Sequence, residues 1–239
     1  GTASILELES GSNDPWAYMF TLILLSVMQG HSTAKEFVYT LFAQIVFGIA
    51  LGAAIAAAAV FVLKHVKFET AGFDAIFVVA VAILSYAVPS AVGGNGYLSA
   101  YIVGIVLGNT KFANKKSLVH FFDGITSFSQ ILIFFLLGLL SFPSHLPQII
   151  LPAAAILLFL TLIARPLSVL AIMTPFKAPV KQQLLIAWAG LRGATSIVFA
   201  IMATVGDTYI ENDVFHIVFC IVLISIGVQG TLLPMVAKK

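Results

Sequence analysis

A few charged or oxygen-bearing residues stand in otherwise apolar stretches: Glu9, Ser10, Asn13 and Asp14 near the start of the chain, and Arg165 and Arg192 further on. The first four belong to Glu9-Ser10-Gly11-Ser12-Asn13-Asp14-Pro15, which leads into an apolar run ending at Met28. In a helix, Ser10 and Asp14 are one turn apart, as are Glu9 and Asn13, so each pair shares a face. Pro15 has no N–H to give, which deprives the Gly11 carbonyl of its usual helical partner. Carboxylate, hydroxyl, amide and carbonyl oxygens gathered in this way suit a hard monovalent cation. A desolvated carboxylate also takes up a proton readily once the cation leaves. One group with two mutually exclusive occupants is sufficient for exchange. The competing reading is that Asp14 only hydrogen-bonds neighbouring helices, a task that serine or asparagine would perform at lower cost. Placing a charge at membrane depth costs at least about 2.5–3.5 kcal/mol, so residues of this kind face the interior of a bundle and tend to be functional.

The elements that must position these groups are membrane helices. Of the 239 residues, 60% are hydrophobic and 9% charged, against about 25% charged in a soluble domain. Continuous apolar runs without two-residue alternation predict helices and argue against a membrane barrel. Runs long enough for a bilayer predict about eight spans, near 5–29, 37–63, 73–92, 97–109, 118–140, 149–173, 184–205 and 214–237. The expected class is an all-α polytopic membrane protein. Ser4-Ile5-Leu6-Glu7 fits a capping box and predicts that the first helix starts at Ser4. That start puts Asp14 roughly 15 Å along the helix, near mid-bilayer.

Charge in the connections gives the direction. Lys64, Lys67, Lys111, Lys115, Lys116, Lys177, Lys181, Lys238 and Lys239 fall on one side, and only Lys35 on the other. The lysine-rich side is therefore cytoplasmic, and both chain ends are predicted to lie inside. Gly48-x-x-x-Gly52 with the alanines after it, and Gly104-x-x-x-Gly108, are expected to let helices approach closely. Gly93-Gly94-Asn95-Gly96 lacks the lysine and the strand context of a phosphate loop and reads as a connection. The lone cysteine, Cys220, reads as a small buried apolar residue. The five histidines lie in loops or near span ends, and no two have helical metal-ligand spacing; His120 and His216 are candidates for tuning a pH response.

Arg165, next to Pro166, and Arg192, within Gly190-Leu191-Arg192-Gly193, need compensation at depth. Glycines flanking an arginine predict a break in the seventh span, where Arg192 would offset the negative end of a half-helix. Glu9 is the preferred partner for Arg165, since a buried charge left unpaired is strongly destabilising.

With these residues in view, the chain resembles the monovalent cation:proton antiporter family. Glu9-Ser10-Gly11-Ser12-Asn13-Asp14-Pro15 looks like its Asn-Asp motif helix. Ala164-Arg165-Pro166-Leu167-Ser168-Val169 and Trp188-Ala189-Gly190-Leu191-Arg192-Gly193-Ala194 look like two further signatures. Phe122-Asp123-Gly124 and Leu136-Leu137-Gly138-Leu139-Leu140 are closer to its bacterial NhaP-type potassium/proton antiporters, also called cell volume regulation protein A. Thr195-Ser196, Trp16 and Tyr18 depart from the usual pattern.

The resemblance implies that residues 1–239 are a transmembrane exchanger domain, the later part of an inverted-repeat fold working by alternating access. It implies that helices precede the chain, that cytoplasmic regulatory domains follow it, and that the protein is a homodimer in a bacterial inner membrane. Potassium or sodium would exchange against protons, for pH and volume homeostasis, at Asp14 with Asn13 and Ser10. Glu9 would pair with Arg165, and Arg192 would sit at the helix break. Neither a cofactor nor a nucleic-acid partner is expected. A channel or solute symporter is the alternative. An intramembrane aspartyl protease is remote, because its Gly-x-Gly-Asp setting is absent from the sequence.

Overall fold

The computed structural model describes residues 2–29, 34–66, 70, 72–112, 114–205 and 213–237. His31, Lys67, Asp207, Glu211, Lys238 and Lys239 therefore lie outside the described residues. Among those described, the chain forms helices and no strand. In order they are α1 (Thr2–Met28), α2 (Ala34–His65), α3 (Phe73–Ala91), α4 (Gly96–Asn109), α5 (Lys115–Leu140) and α6 (Leu146–Phe159). A π-helical segment (Leu160–Ala164) leads into α7 (Arg165–Met173). Then come α8 (Val180–Trp188), α9 (Ala194–Val205) and α10 (Val214–Ile224), and a second π segment (Ser225–Gly230) leads into α11 (Thr231–Ala237).

Among the described residues, five stretches are long and apolar enough to cross a membrane: Lys35–His65, Phe73–Ala91, Lys115–Leu140, Leu146–Met173 and Val214–Leu233. Gly96–Asn109 and Ala194–Val205 are apolar but shorter. The long α1 stands apart because its first half holds the polar motif. The expected capping box does not start it: the helix is already formed at Thr2, and Ser4 is an exposed residue within it. The seventh predicted span is two helices, with 189–193 between them outside regular helix.

The chain divides into two units. In the unit Glu9–Ser129, the core joins Ala56, Ala59 and Leu63 of α2 to Val81 of α3 and to Val103 and Leu107 of α4. Small residues permit this packing. A Cβ added at Gly52 would lie 2.9 Å from the Ser99 Cα, and one at Gly48 would lie 3.0 Å from the Asn95 carbonyl oxygen. The first glycine pair thus acts as expected. The second does not, since Gly104 and Gly108 face open space.

The other unit comprises Gly1–Leu8 and Gln130–Lys239. One core cluster there holds Leu137, Ile197, Phe215, Phe219 and Val222. A second holds Ala153, Leu157, Cys220 and Ile221, so Cys220 is a buried apolar residue as its sequence context suggested.

Candidate functional site

Asp14 is half-buried on an α1 that continues unbroken through Pro15. Glu9 is half-buried as well, while Ser10 and Asn13 are exposed. Regular helix keeps Ser10 and Asp14 on one face. Gly11 is required for space: a Cβ there would sit 2.7 Å from the Tyr101 Cε2. Next along, the Pro15 carbonyl accepts a hydrogen bond of 2.9 Å from Asn95 Nδ2.

Asn95 was read from sequence as part of a mere connection, but it is a buried junction, 2% exposed. Its Oδ1 accepts from Leu98 N at 3.0 Å and caps α4. Its own N–H donates to the Gln44 carbonyl at 3.1 Å. Gly93, at φ 78, makes the turn from α3 that a side chain would resist. The inner part of the turn, 94–96, is buried and must have its polar groups satisfied from within the protein, and Asn95 bonds to the backbone of three helices at once. A ring of tyrosines borders the same place. Tyr97 packs at 4.8 Å from Tyr18 and 5.2 Å from Tyr86, ring centroid to centroid. The sequence signal for this group was a set of tyrosines spaced along α1, α3 and α4 without an obvious purpose.

In the other unit, Arg192 lies within the interruption at 189–193 and Arg165 reaches the helix end before it. Arg165 Nε donates to the Ile186 carbonyl at 3.3 Å, among the last carbonyls of α8. A guanidinium there faces the negative end of a half-helix. Gly190 is buried, and a Cβ on it would overlap the Arg165 side chain. Arg192 is half-buried within the interruption, and its N–H donates to Ser225 Oγ at 3.3 Å. Arg165 thus lies at the break where sequence reasoning had placed only Arg192. Glu9 and Arg165 belong to different units.

The histidines are less bland than their sequence positions suggest. His145, 68 residues away in the sequence, and His216, three residues further along, converge on Asp213. Asp213 Oδ2 lies 3.0 Å from His145 Nδ1 and 2.7 Å from His216 Nδ1, the latter off the line of the ring N–H. Asp213 Oδ1 also accepts from His216 N at 3.2 Å and caps α10. These three residues offer ligand atoms within 4.8 Å of one another. A metal cage is disfavoured, however, because the Phe142 N–H donates to His216 Nε2 at 2.9 Å. That bond requires a lone pair on Nε2, so in the neutral ring the proton resides on Nδ1, the atom a metal would need. Burial opposes ionisation of Asp213, but the contacts from His216 and His145 outweigh it and hold its carboxyl below the usual range.

Helices of this length and apolarity, with polar groups gathered at depth and at interruptions, define a multi-pass membrane protein. Residues 1–239 match the family described as sodium/hydrogen exchanger, transmembrane, and the chain belongs to that family, whose members are transporters rather than enzymes. It is 38% identical over 237 residues to the K(+)/H(+) antiporter NhaP of Alkalimonas amylolytica, covering 99% of this chain and 41% of that protein. Identity to the K(+)/H(+) antiporter NhaP2 of Shewanella baltica (strain OS223) is 34%, covering 98% of this chain and 41% of the relative. A more distant relative, the Probable Na(+)/H(+) antiporter 2 of Methanocaldococcus jannaschii, is 33% identical over 214 residues, covering 84% of this chain and 50% of that protein. The chain thus spans well under two thirds of the length of these curated relatives.

Proposed function

We propose that residues 1–239 are the later membrane part of a monovalent cation/proton antiporter, potassium being the preferred cation. Asp14 binds the proton and the cation in turn. The observation that carries this reading is a half-buried carboxylate on a long helix whose later half is apolar, in a chain matched along its whole length by the exchanger family. Ser10 and Asn13 supply neighbouring oxygens. Arg192 and Arg165 offset charge at the interrupted helix, and Glu9 is the counter-charge of Arg165. About eight spans give a cytoplasmic N-terminal end, alternating access carries the ion, and the protein works as a homodimer in a bacterial inner membrane. Potassium is preferred to sodium because the Alkalimonas and Shewanella relatives, matched over nearly all of this chain, are named for potassium. The name of the archaeal relative supports sodium as the second reading.

The test is exchange by the full-length exchanger in everted vesicles, following recovery of an imposed proton gradient on adding potassium or sodium. Asp14→Asn is expected to abolish recovery with both ions. Recovery at the wild-type rate in that variant would remove Asp14 from the mechanism. Proton-uncoupled conductance would favour a channel.

A further inference from the structure

Among the described residues, two turns of π-helix occur in the unit that holds the interrupted helix, and both are tied to the interruption. Such widened turns are rare and are found mostly at functional sites. The first, Leu160–Ala164, is followed directly by Arg165, which bonds the Ile186 carbonyl just before the break. The second, Ser225–Gly230, opens with Ser225, which receives the Arg192 N–H inside the break. The Ser225 hydroxyl then donates to Gln229 Oε1 at 2.5 Å, and Gln229 Nε2 donates to Thr161 Oγ1 at 3.3 Å. The line of hydrogen bonds thus runs from the irregular backbone through one π turn to the other.

These groups are costly where they sit. Ser225 is 0% and Gln229 3% exposed, in helices whose neighbours are apolar. Spanning a bilayer requires neither of them, and partly satisfied polar networks are worse than none. The direction of the bonds explains why all three residues are present. Ser225 has a single hydroxyl hydrogen. Donating it to Gln229 aims a lone pair at the Arg192 N–H. Thr161 Oγ1 in turn accepts from Gln229 Nε2, the orientation that leaves Gln229 Oε1 to take the Ser225 hydrogen.

We propose that Thr161, Ser225 and Gln229 are positioning residues of the exchanger, fixing where residues 189–193 sit and thereby setting apparent cation affinity and pH dependence. This rests on the exchange reading above. The experiment is cation titration of the full-length exchanger in everted vesicles across a pH series, with Thr161→Val, Thr161→Ser and Ser225→Ala. Thr161→Val and Ser225→Ala are expected to raise the apparent KM about fivefold, the factor one net hydrogen bond carries, with little change in maximal rate. The pH profile moves with the KM. Thr161→Ser, which keeps the hydroxyl, retains wild-type values. A wild-type KM and pH profile in both Thr161→Val and Ser225→Ala, with any loss confined to the amount of folded protein, overturns the proposal. Equal behaviour of Thr161→Val and Thr161→Ser overturns it too. Should Ser225→Ala not fold, Thr161→Val carries the same comparison alone. The outcome is separable from the Asp14 test: active Asp14→Asn removes the carrier assignment without altering the effect of these variants on KM.

Discussion

Gly190→Ala isolates the contact between Arg165 and the end of α8. Gly190 is not among the residues with left-handed backbone, so it is needed for room rather than for twist. The added Cβ would meet the Nε, Cδ and Cζ atoms of Arg165, the far end of a flexible side chain. The side chain can therefore yield, but only by leaving the Ile186 carbonyl. A hydrogen bond from a charged donor is worth about 1.5–3 kcal/mol, and a length of 3.3 Å places this one near the lower figure. Residual crowding adds about 1 kcal/mol, the low end for overpacking, because the neighbour is mobile. The expected cost is about 2–3 kcal/mol. In an Arg165→Ala background the three nearest obstructing atoms are gone, and the same substitution is expected to cost less than about 0.5 kcal/mol. The coupling in a double-mutant cycle is therefore about 2 kcal/mol. Equilibrium unfolding in mixed micelles, followed for the wild type, both single variants and the double variant, supplies the four numbers. Equal cost of Gly190→Ala in the two backgrounds would refute the argument, since the crowding would then lie elsewhere.

Other outcomes follow from single distances and from one carboxyl. Gly52→Ala drives a Cβ against the backbone of Ser99, which cannot step aside, and is expected to cost about 1–3 kcal/mol; Gly104→Ala faces open space and is neutral or slightly stabilising in the same unfolding assay. Asp213 has a carboxyl held below its ordinary value in the folded protein. The folded state then binds fewer protons than the unfolded one, so the contribution of Asp213 is present above about pH 4 and is lost as pH falls through the lowered folded value. Asp213→Asn is expected to lower the unfolding midpoint at neutral pH and to flatten its acid decline; an unchanged acid limb would count against the two-histidine clamp.

The interruption in the seventh span was legible because few arrangements accommodate an arginine between glycines in an apolar run. Gly48-x-x-x-Gly52 was legible as a close approach. Gly104-x-x-x-Gly108 shows the limit of that inference: spacing tells which residues share a face, not whether a neighbour packs on it. The capping box failed for a related reason, since Ser4 and Glu7 are compatible with a helix start but do not forbid an earlier one. His145 and Asp213 lie 68 residues apart, so only the tertiary fold brings them together. The π turns were invisible because the same apolar runs suit either helix. Their trace in the sequence is Thr161, Ser225 and Gln229, polar residues in spans that do not need them. The role of Asn95 was hidden in the same way, among glycines that drew the eye to the turn.

A single physical condition links these particulars. In an apolar surround, a backbone that leaves regular helix exposes donors and acceptors that no solvent will satisfy. In each unit, where the backbone turns or leaves regular helix, a side chain ties it to another element. Asn95, in the turn before α4, ties that turn to the Pro15 carbonyl of α1. Arg165 reaches the carbonyl before the break in α8–α9, and Ser225 reaches the amide within it. Side chains that hold a backbone by directed bonds also hold it in register, which packing of alanine and leucine alone would leave free to slide. An ion site depends on that register, because ligand oxygens misplaced by a fraction of an ångström select poorly between cations and protons. The residues that set selectivity therefore extend beyond those that touch the ion. In this chain they are expected where polar side chains are spent on irregular backbone, and variants that keep Asp14 intact while releasing those bonds should change apparent affinity before they change maximal rate.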